Sequence, residues 1–298
     1  MSLRLGAKLP TTGELPARLG IPAMAARLER AGFDSLWVSD HVVMPERVRS
    51  RYPFAADGRA GWPTDTPWYD AIVALSAAAA TTSHVGLGVA VLVLPLRHPV
   101  VLAKQAASLD AISGGRLTLG VGAGWLAEEF EALGVPFETR GSRLDEWIAI
   151  LRACWTGRPP PLAGCHYRLP AGVLSFPTPA RQPDILVGGT SPAALGRAGR
   201  AGQGWLGQEA PGRIDWTGLE ASVAAVRRAA AAAGRDAAAA RLVLRLTPPA
   251  PDGVLEVLPR LAAAGVTEVI VDVDWEAPAG PARDHDRLRR AAEAGGRC

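Results

Sequence analysis

The chain has 298 residues, 48% hydrophobic and 20% charged, with a formal net charge of +3 and a pI near 9.0. That length allows one barrel-sized domain or two smaller ones. The positive charge comes from arginines scattered along the chain, Lys8 and Lys104 being the only lysines, so no basic stripe argues for nucleic acid. Cys154, Cys165 and Cys298 lack C-x-x-C spacing, which suggests neither a disulfide framework nor a zinc site. MSLRLGAKLP runs straight into a strand pattern without an export core, and no apolar run reaches the ~18 to 20 residues of a membrane span. A cytoplasmic protein is the expectation.

In chain order, Arg4 to Pro10 reads as a short strand and Ile21 to Ala31 as a helix, with Pro22 in its first turn and Gly32 past its end. Ser35 to Asp40 is the next strand and runs directly into His41. Residues 42–65 form a long aperiodic loop containing Tyr52, Phe54 and Trp62; loops of that length in a compact domain are usually functional. Trp68 to Thr82 reads as an alanine-rich helix.

Val85 to Leu94 is a continuous apolar, β-branched run that suits a strand buried on both faces, and Pro95 and Pro99 stop it. From His98 to Ile112 apolar residues recur at helical spacing, and Ser113-Gly114-Gly115 ends that helix. Arg116 to Gly124 is a second buried strand. Its alternating Gly120, Gly122 and Gly124 leave the backbone free for the close approach of a cofactor; the plainer alternative is tight packing of helix on strand.

Helices follow at Ala127 to Leu133 and Arg140 to Trp155. The Pro- and Gly-rich stretch 156–183 breaks the pattern, and its fragments HYRLP and VLSFP predict an inserted hairpin. Strands are expected at Asp184 to Gly189, Gln203 to Gln208, Leu242 to Leu246 and Glu268 to Trp275. The helices among them are TSPAALGRAG, Asp215 to Ala233, Val254 to Ala264 and Asp284 to Ala294. About eight strands alternating with helices predict an α/β protein, a (β/α)8 TIM barrel, as a single domain over 1–298.

In such a barrel the chemistry lies at the carboxyl ends of the strands, where Asp40 and His41 place a carboxylate beside an imidazole. Gly188-Gly189-Thr190-Ser191 lies between a strand and a helix that opens with Pro192. Its amides and hydroxyls suit a phosphate, although Ser followed by Pro is equally an ordinary helix cap. G-x-G-x-x-G spacing, a P-loop lysine, H-E-x-x-H and G-x-S-x-G are all missing, which argues against a Rossmann site, a P-loop, a metal centre and a serine hydrolase.

SLWVSDHVV, LGVAVLVLPLRHPVVLAKQAASLD, SGGRLTLGVGAGW, EEFEALGVPFETRG and VGGTSPAALGRAGRAGQGW occur in that order. Together they resemble the bacterial luciferase-like superfamily, and more narrowly its deazaflavin (coenzyme F420) dependent oxidoreductases, over most of residues 4–208. The resemblance implies a barrel binding F420, or alternatively FMN, at its strand ends. Asp40 and His41 would lie near the ring, and Ala90-Val91 would form a non-proline cis peptide behind it. Ala123, Gly124 and Glu128 would line the ring and side chain, and Gly188, Gly189, Thr190 and Ser191 would hold the phosphate. By the same resemblance the protein is a homodimeric reductase acting on a small molecule, with Asp40 and His41 as catalytic residues; a two-component FMN monooxygenase is the alternative. Trp125 and Pro45 stand where the F420-dependent glucose 6-phosphate dehydrogenases carry an acidic residue and a tryptophan, which argues against sugar oxidation and leaves His41, Glu46, Tyr52 or solvent as proton donor.

Overall fold

The computed structural model of the protein describes residues 3–247 and 251–294. Ten strands and ten helices run in the order β1 (Arg4–Lys8), α1 (Leu15–Leu19), α2 (Ile21–Ala31), β2 (Ser35–Val38), α3 (Ala71–Ala79), β3 (Gly86–Val93), α4 (Pro99–Ser113) and β4 (Leu117–Gly122). They continue through α5 (Ala127–Ala132), α6 (Arg140–Cys154), β5 (Leu162–Ala163), β6 (Arg168–Leu169), β7 (Asp184–Gly188) and α7 (Pro192–Arg200). The chain closes with β8 (Gly204–Glu209), α8 (Trp216–Ala232), β9 (Arg241–Leu246), α9 (Pro251–Ala263), β10 (Glu268–Val271) and α10 (Gly280–Ala294).

Eight of the strands form a closed parallel barrel in the order β1-β2-β3-β4-β7-β8-β9-β10, each pair parallel, so the (β/α)8 expectation holds. The inserted hairpin also exists, but it pairs Leu162–Ala163 with Arg168–Leu169. HYRLP supplies one of its strands and VLSFP none; Ser175 instead hydrogen bonds to Gly157 through the backbone. The helix expected from Trp68 begins only at Ala71, because the Asp70 carboxylate caps it by accepting from the Ile72 and Val73 amides. Trp68 stays outside and bridges Thr12. The last strand stops at Val271 rather than Trp275. The short helix α1 has no counterpart in the periodicity, being too brief to show one.

Inside the barrel, Trp37, Leu186, Leu206, Val243 and Ile270 pack against Ala90 and Val91. Alternate residues of a strand share a face, so the inward positions one step toward the amino ends are Ser35, Asp184, Arg241 and Glu268. They form a polar plug. Arg241 donates to Asp184 (2.8 Å), Thr118 (3.2 Å) and Glu268 (3.0 Å), and Glu268 also accepts from the Trp37 indole (3.0 Å) and from Ser35. The plug closes the bottom of the barrel, and the opposite end is left for chemistry. No helix among the described residues is long and apolar enough to cross a membrane.

The Glu268 side chain is only 1% exposed, so removing the Arg241 guanidinium at 3.0 Å leaves a buried carboxylate with only the more distant Arg4, at 3.7 Å, as a paired cation. Arg241→Met is therefore expected to cost about 3 kcal/mol or more in urea-induced unfolding; a loss within about 0.5 kcal/mol, as for an ordinary surface substitution, would contradict this role.

Candidate active site

His41 lies three residues beyond the end of β2 and is buried. Its Nδ1 lies 2.9 Å from Glu129 Oε2, and Glu129, 1% exposed, accepts from the Val42 and Val43 amides through its other oxygen. The carboxylate is acceptor only, so Nδ1 carries the hydrogen and Nε2 is the atom available for proton transfer. Nε2 has no hydrogen-bond partner among the described residues. Aromatic rings wall the imidazole: Trp68 at 4.7 Å, Trp125 at 6.0 Å and Trp62 at 6.3 Å between centroids. Tyr52 wedges between Trp62 (5.2 Å) and Trp125 (5.1 Å), and its hydroxyl accepts from Gln208 at 3.4 Å. The Trp62 and Trp68 indole N–H groups are buried and without partners, two donors left open beside His41.

Asp40, the residue before His41, is held by protein groups on both sides. Its side chain is fully buried, with Oδ2 accepting from the Val93 amide (3.0 Å) and Oδ1 from Arg97, whose other nitrogen reaches Asp70 at 2.9 Å. Burial pushes the Asp40 pKa up, against the opposing pull of Arg97. Both of its oxygens are engaged with protein, so Asp40 fixes the segment that follows β2.

The Ala90–Val91 peptide is cis, as the resemblance implies. Val91 is half-buried and projects between two glycines: a Cβ on Gly122 would meet Val91 Cγ2 at 2.7 Å, and one on Gly188 would meet Val91 Cγ1 at 2.8 Å. A Cβ on Gly120 would strike the Val89 carbonyl, and Gly124, at φ +86°, lies against Phe130 and Val93. Gly120 and Gly122 thus make room for the neighbouring strand β3, and only Gly124 for a helix residue, Phe130. Ala123 is half-buried at the end of β4.

Glu128 does not face the open mouth. It accepts from the Ser50 hydroxyl (2.7 Å) and from the Arg49 and Ser50 amides, and these bonds outweigh desolvation and bring its pKa to about 2. Adjacent residues on a helix point about 100° apart, so Glu128 reaches Ser50 while Glu129 reaches His41. Glu129 and Arg97 are the functional residues that sequence reasoning missed. The paired acids were visible; which of them met the histidine was not.

At the β7 end, Gly189 has φ +111° and its carbonyl accepts from the Trp205 indole at 2.8 Å. Ser191 caps α7 by accepting from the Ala194 amide (3.2 Å), so the cap reading holds. Thr190, Ser191 and Ala193 are exposed, and their amides find no acceptor among the described residues. The turn therefore keeps free donors as well as a cap, which is what a phosphate-bearing cofactor requires.

Glu128 gives the site a pH signature. Its folded pKa of about 2 lies below the ordinary 4.5, so its stabilisation is complete above pH 4.5 and is lost as pH falls toward 2. Between pH 5 and pH 3 the Tm of Glu128→Gln should fall less than that of the parent; equal slopes would remove this anchor.

The luciferase-like monooxygenase family model matches residues 6–296. An uncharacterized protein of Mycobacterium tuberculosis is 37% identical over 248 residues, 83% of each chain. An F420-dependent glucose-6-phosphate dehydrogenase of Beutenbergia cavernae is 34% identical over 219 residues, 72% of this chain and 59% of that one. The structure of an F420-dependent secondary alcohol dehydrogenase superposes with a TM-score of 0.74 at 17% identity, over 98% of both chains. With the family model matching nearly the whole length of an eight-stranded parallel barrel, the chain belongs to the luciferase-like monooxygenase family of oxidoreductases.

Proposed function

We propose that this member of the family is a reductase that uses reduced F420 to deliver a hydride to an activated C=C or C=N bond of a small or natural-product substrate. The observation that carries the reading is the Glu129–His41 pair, an oriented imidazole with Nε2 open inside an aromatic wall. Similarity to an F420-dependent dehydrogenase supports the choice of cofactor. When bound, the deazaflavin supplies the hydride chemistry. The free amides at Thr190, Ser191 and Ala193, with Gly188 and Gly189, would hold its phosphate, and Ala90, Val91, Ala123 and Gly124 would border the ring.

The protein's own contribution is a proton and a dry setting. Protonated His41 donates from Nε2 to the atom beside the one that receives the hydride, and Glu129 steadies the cationic ring through Nδ1. Trp62, Trp68, Trp125 and Tyr52 exclude water around that atom. Glu46 is exposed and its backbone carbonyl faces Thr64, so it is the weaker donor. The enclosed aromatic wall also suits the second reading, an FMN monooxygenase, which needs a dry pocket. The reading includes a cytoplasmic homodimer of one barrel domain. Val73 on α3 and Val101 and Ile112 on the adjoining α4 are exposed apolar side chains that support it.

Fluorescence titration with oxidised F420 and with FMN tests the cofactor. Micromolar binding of F420, weaker binding of FMN and loss of F420 binding in Thr190→Asp are expected. Preferential FMN binding would replace this reading with the monooxygenase, and binding of neither would overturn both. His41→Ala should lower kcat about 10²-fold with the F420 Kd unchanged; full turnover would remove His41 as the acid.

A further inference from the structure

Two cations enter the barrel mouth far from the Gly188–Ser191 turn. Lys8 pairs in register with Trp37, and Arg245 with Ile270. Partners in register share a face of the sheet, and Trp37 and Ile270 pack inside the barrel, so Lys8 and Arg245 point inward too. Arg245 reaches past β10 and β1 to donate to Ser39 Oγ at 3.0 Å, just beyond β2. Its Nε is buried and has no partner. Lys8 Nζ has no hydrogen bond or ion pair among the described residues. Burial, then the Arg245 charge, brings its pKa down to about 8 against a weaker opposing effect of Asp272. At neutral pH the ammonium is still mostly charged, and it has no counter-ion in contact. Lys8 is half-buried, and a charge partly withdrawn from water in this way is unfavourable until an anion meets it.

Around the closed ring β1 and β7 are four strands apart in either direction, so Lys8 lies across the mouth from the turn on β7. One phosphate cannot occupy both places. We propose that Lys8 and Arg245, with the Ser39 hydroxyl, form a second anion subsite that receives a carboxylate of the acceptor substrate. The inference rests on the reading of this mouth as a reductase's acceptor site, for which it names the substrate class. Two cations set against Asp272 leave one net positive charge, which matches a monoanion better than a phosphate dianion. An Arg fork beside a flexible Lys suits the two oxygens of a carboxylate.

Benzoate and benzamide have nearly the same shape and differ in charge, and Trp62, Trp68 and Trp125 provide a fluorescence signal without any cofactor. At pH 7, benzoate is expected to bind the cofactor-free protein at least tenfold more tightly than benzamide. Lys8→Met should weaken benzoate at least tenfold and leave benzamide unchanged, while Lys8→Arg retains most of the benzoate affinity. Lys8→Met removes an unpaired charge, so its Tm should not fall below the parent's; Arg245→Gln gives an independent variant with the same expected loss. Equal binding of the two probes, or benzoate binding unaffected by either variant, would overturn the subsite. Tenfold preference for phenyl phosphate over benzoate would overturn the carboxylate assignment. Loss of benzoate binding in Thr190→Asp, with none in Lys8→Met, would place the anion at the turn instead. Tenfold weaker F420 binding in Lys8→Met would assign the cations to the cofactor. Because the probes need no cofactor, failure of F420 to bind leaves these outcomes readable and counts only against the reductase reading.

Discussion

A carboxylate taken wholly out of water holds the functional end of this barrel in place. Asp40, two residues beyond β2, accepts from the amide of Val93 at the end of β3 and draws in Arg97, which in turn reaches Asp70 at the start of α3. The Arg97 carbonyl accepts from the Trp147 indole on α6 at 2.7 Å. Four elements thus converge on one ion pair. Burying a carboxylate is unfavourable, and here the charge is matched by a guanidinium and an amide in fixed positions. The next residue, His41, inherits that fixity. Its place is set by Asp40 and the direction of its ring by Glu129.

The barrel separates structural and chemical polarity along its axis. At the amino end, Arg241, Glu268, Asp184 and Ser35 satisfy one another, and the layer of Trp37, Val243 and Ile270 seals them from the mouth. At the carboxyl end the Trp62 and Trp68 indoles and Arg245 Nε are buried without an internal partner. Buried polar groups are nearly always paired in a finished fold. Beside His41 and Lys8, these atoms are donors that a bound molecule could satisfy.

Much of this was legible in the sequence. Strand and helix alternation came from apolar runs punctuated by Gly and Pro, and barrel position alone directed attention to Asp40, His41 and the GGTS turn. The Ala90–Val91 cis peptide came from resemblance; composition and spacing say nothing about it. Side-chain partnerships were the unreadable part. Nothing local distinguishes Glu128 from Glu129, or shows that Gly122 and Gly188 serve Val91, because those facts depend on which strands lie side by side. The loop 42–65 was legible as functional and aromatic, with Tyr52, Phe54 and Trp62 in view, but having no period it does not tell which rings turn toward His41.

Adjacent glutamates grip the same loop at two points, Glu129 at Val42 and Val43 and Glu128 at Arg49 and Ser50. The carboxylate that orients the His41 imidazole is the same one that holds the Val42 and Val43 amides, so the seat of this segment and the direction of the ring are set by one side chain.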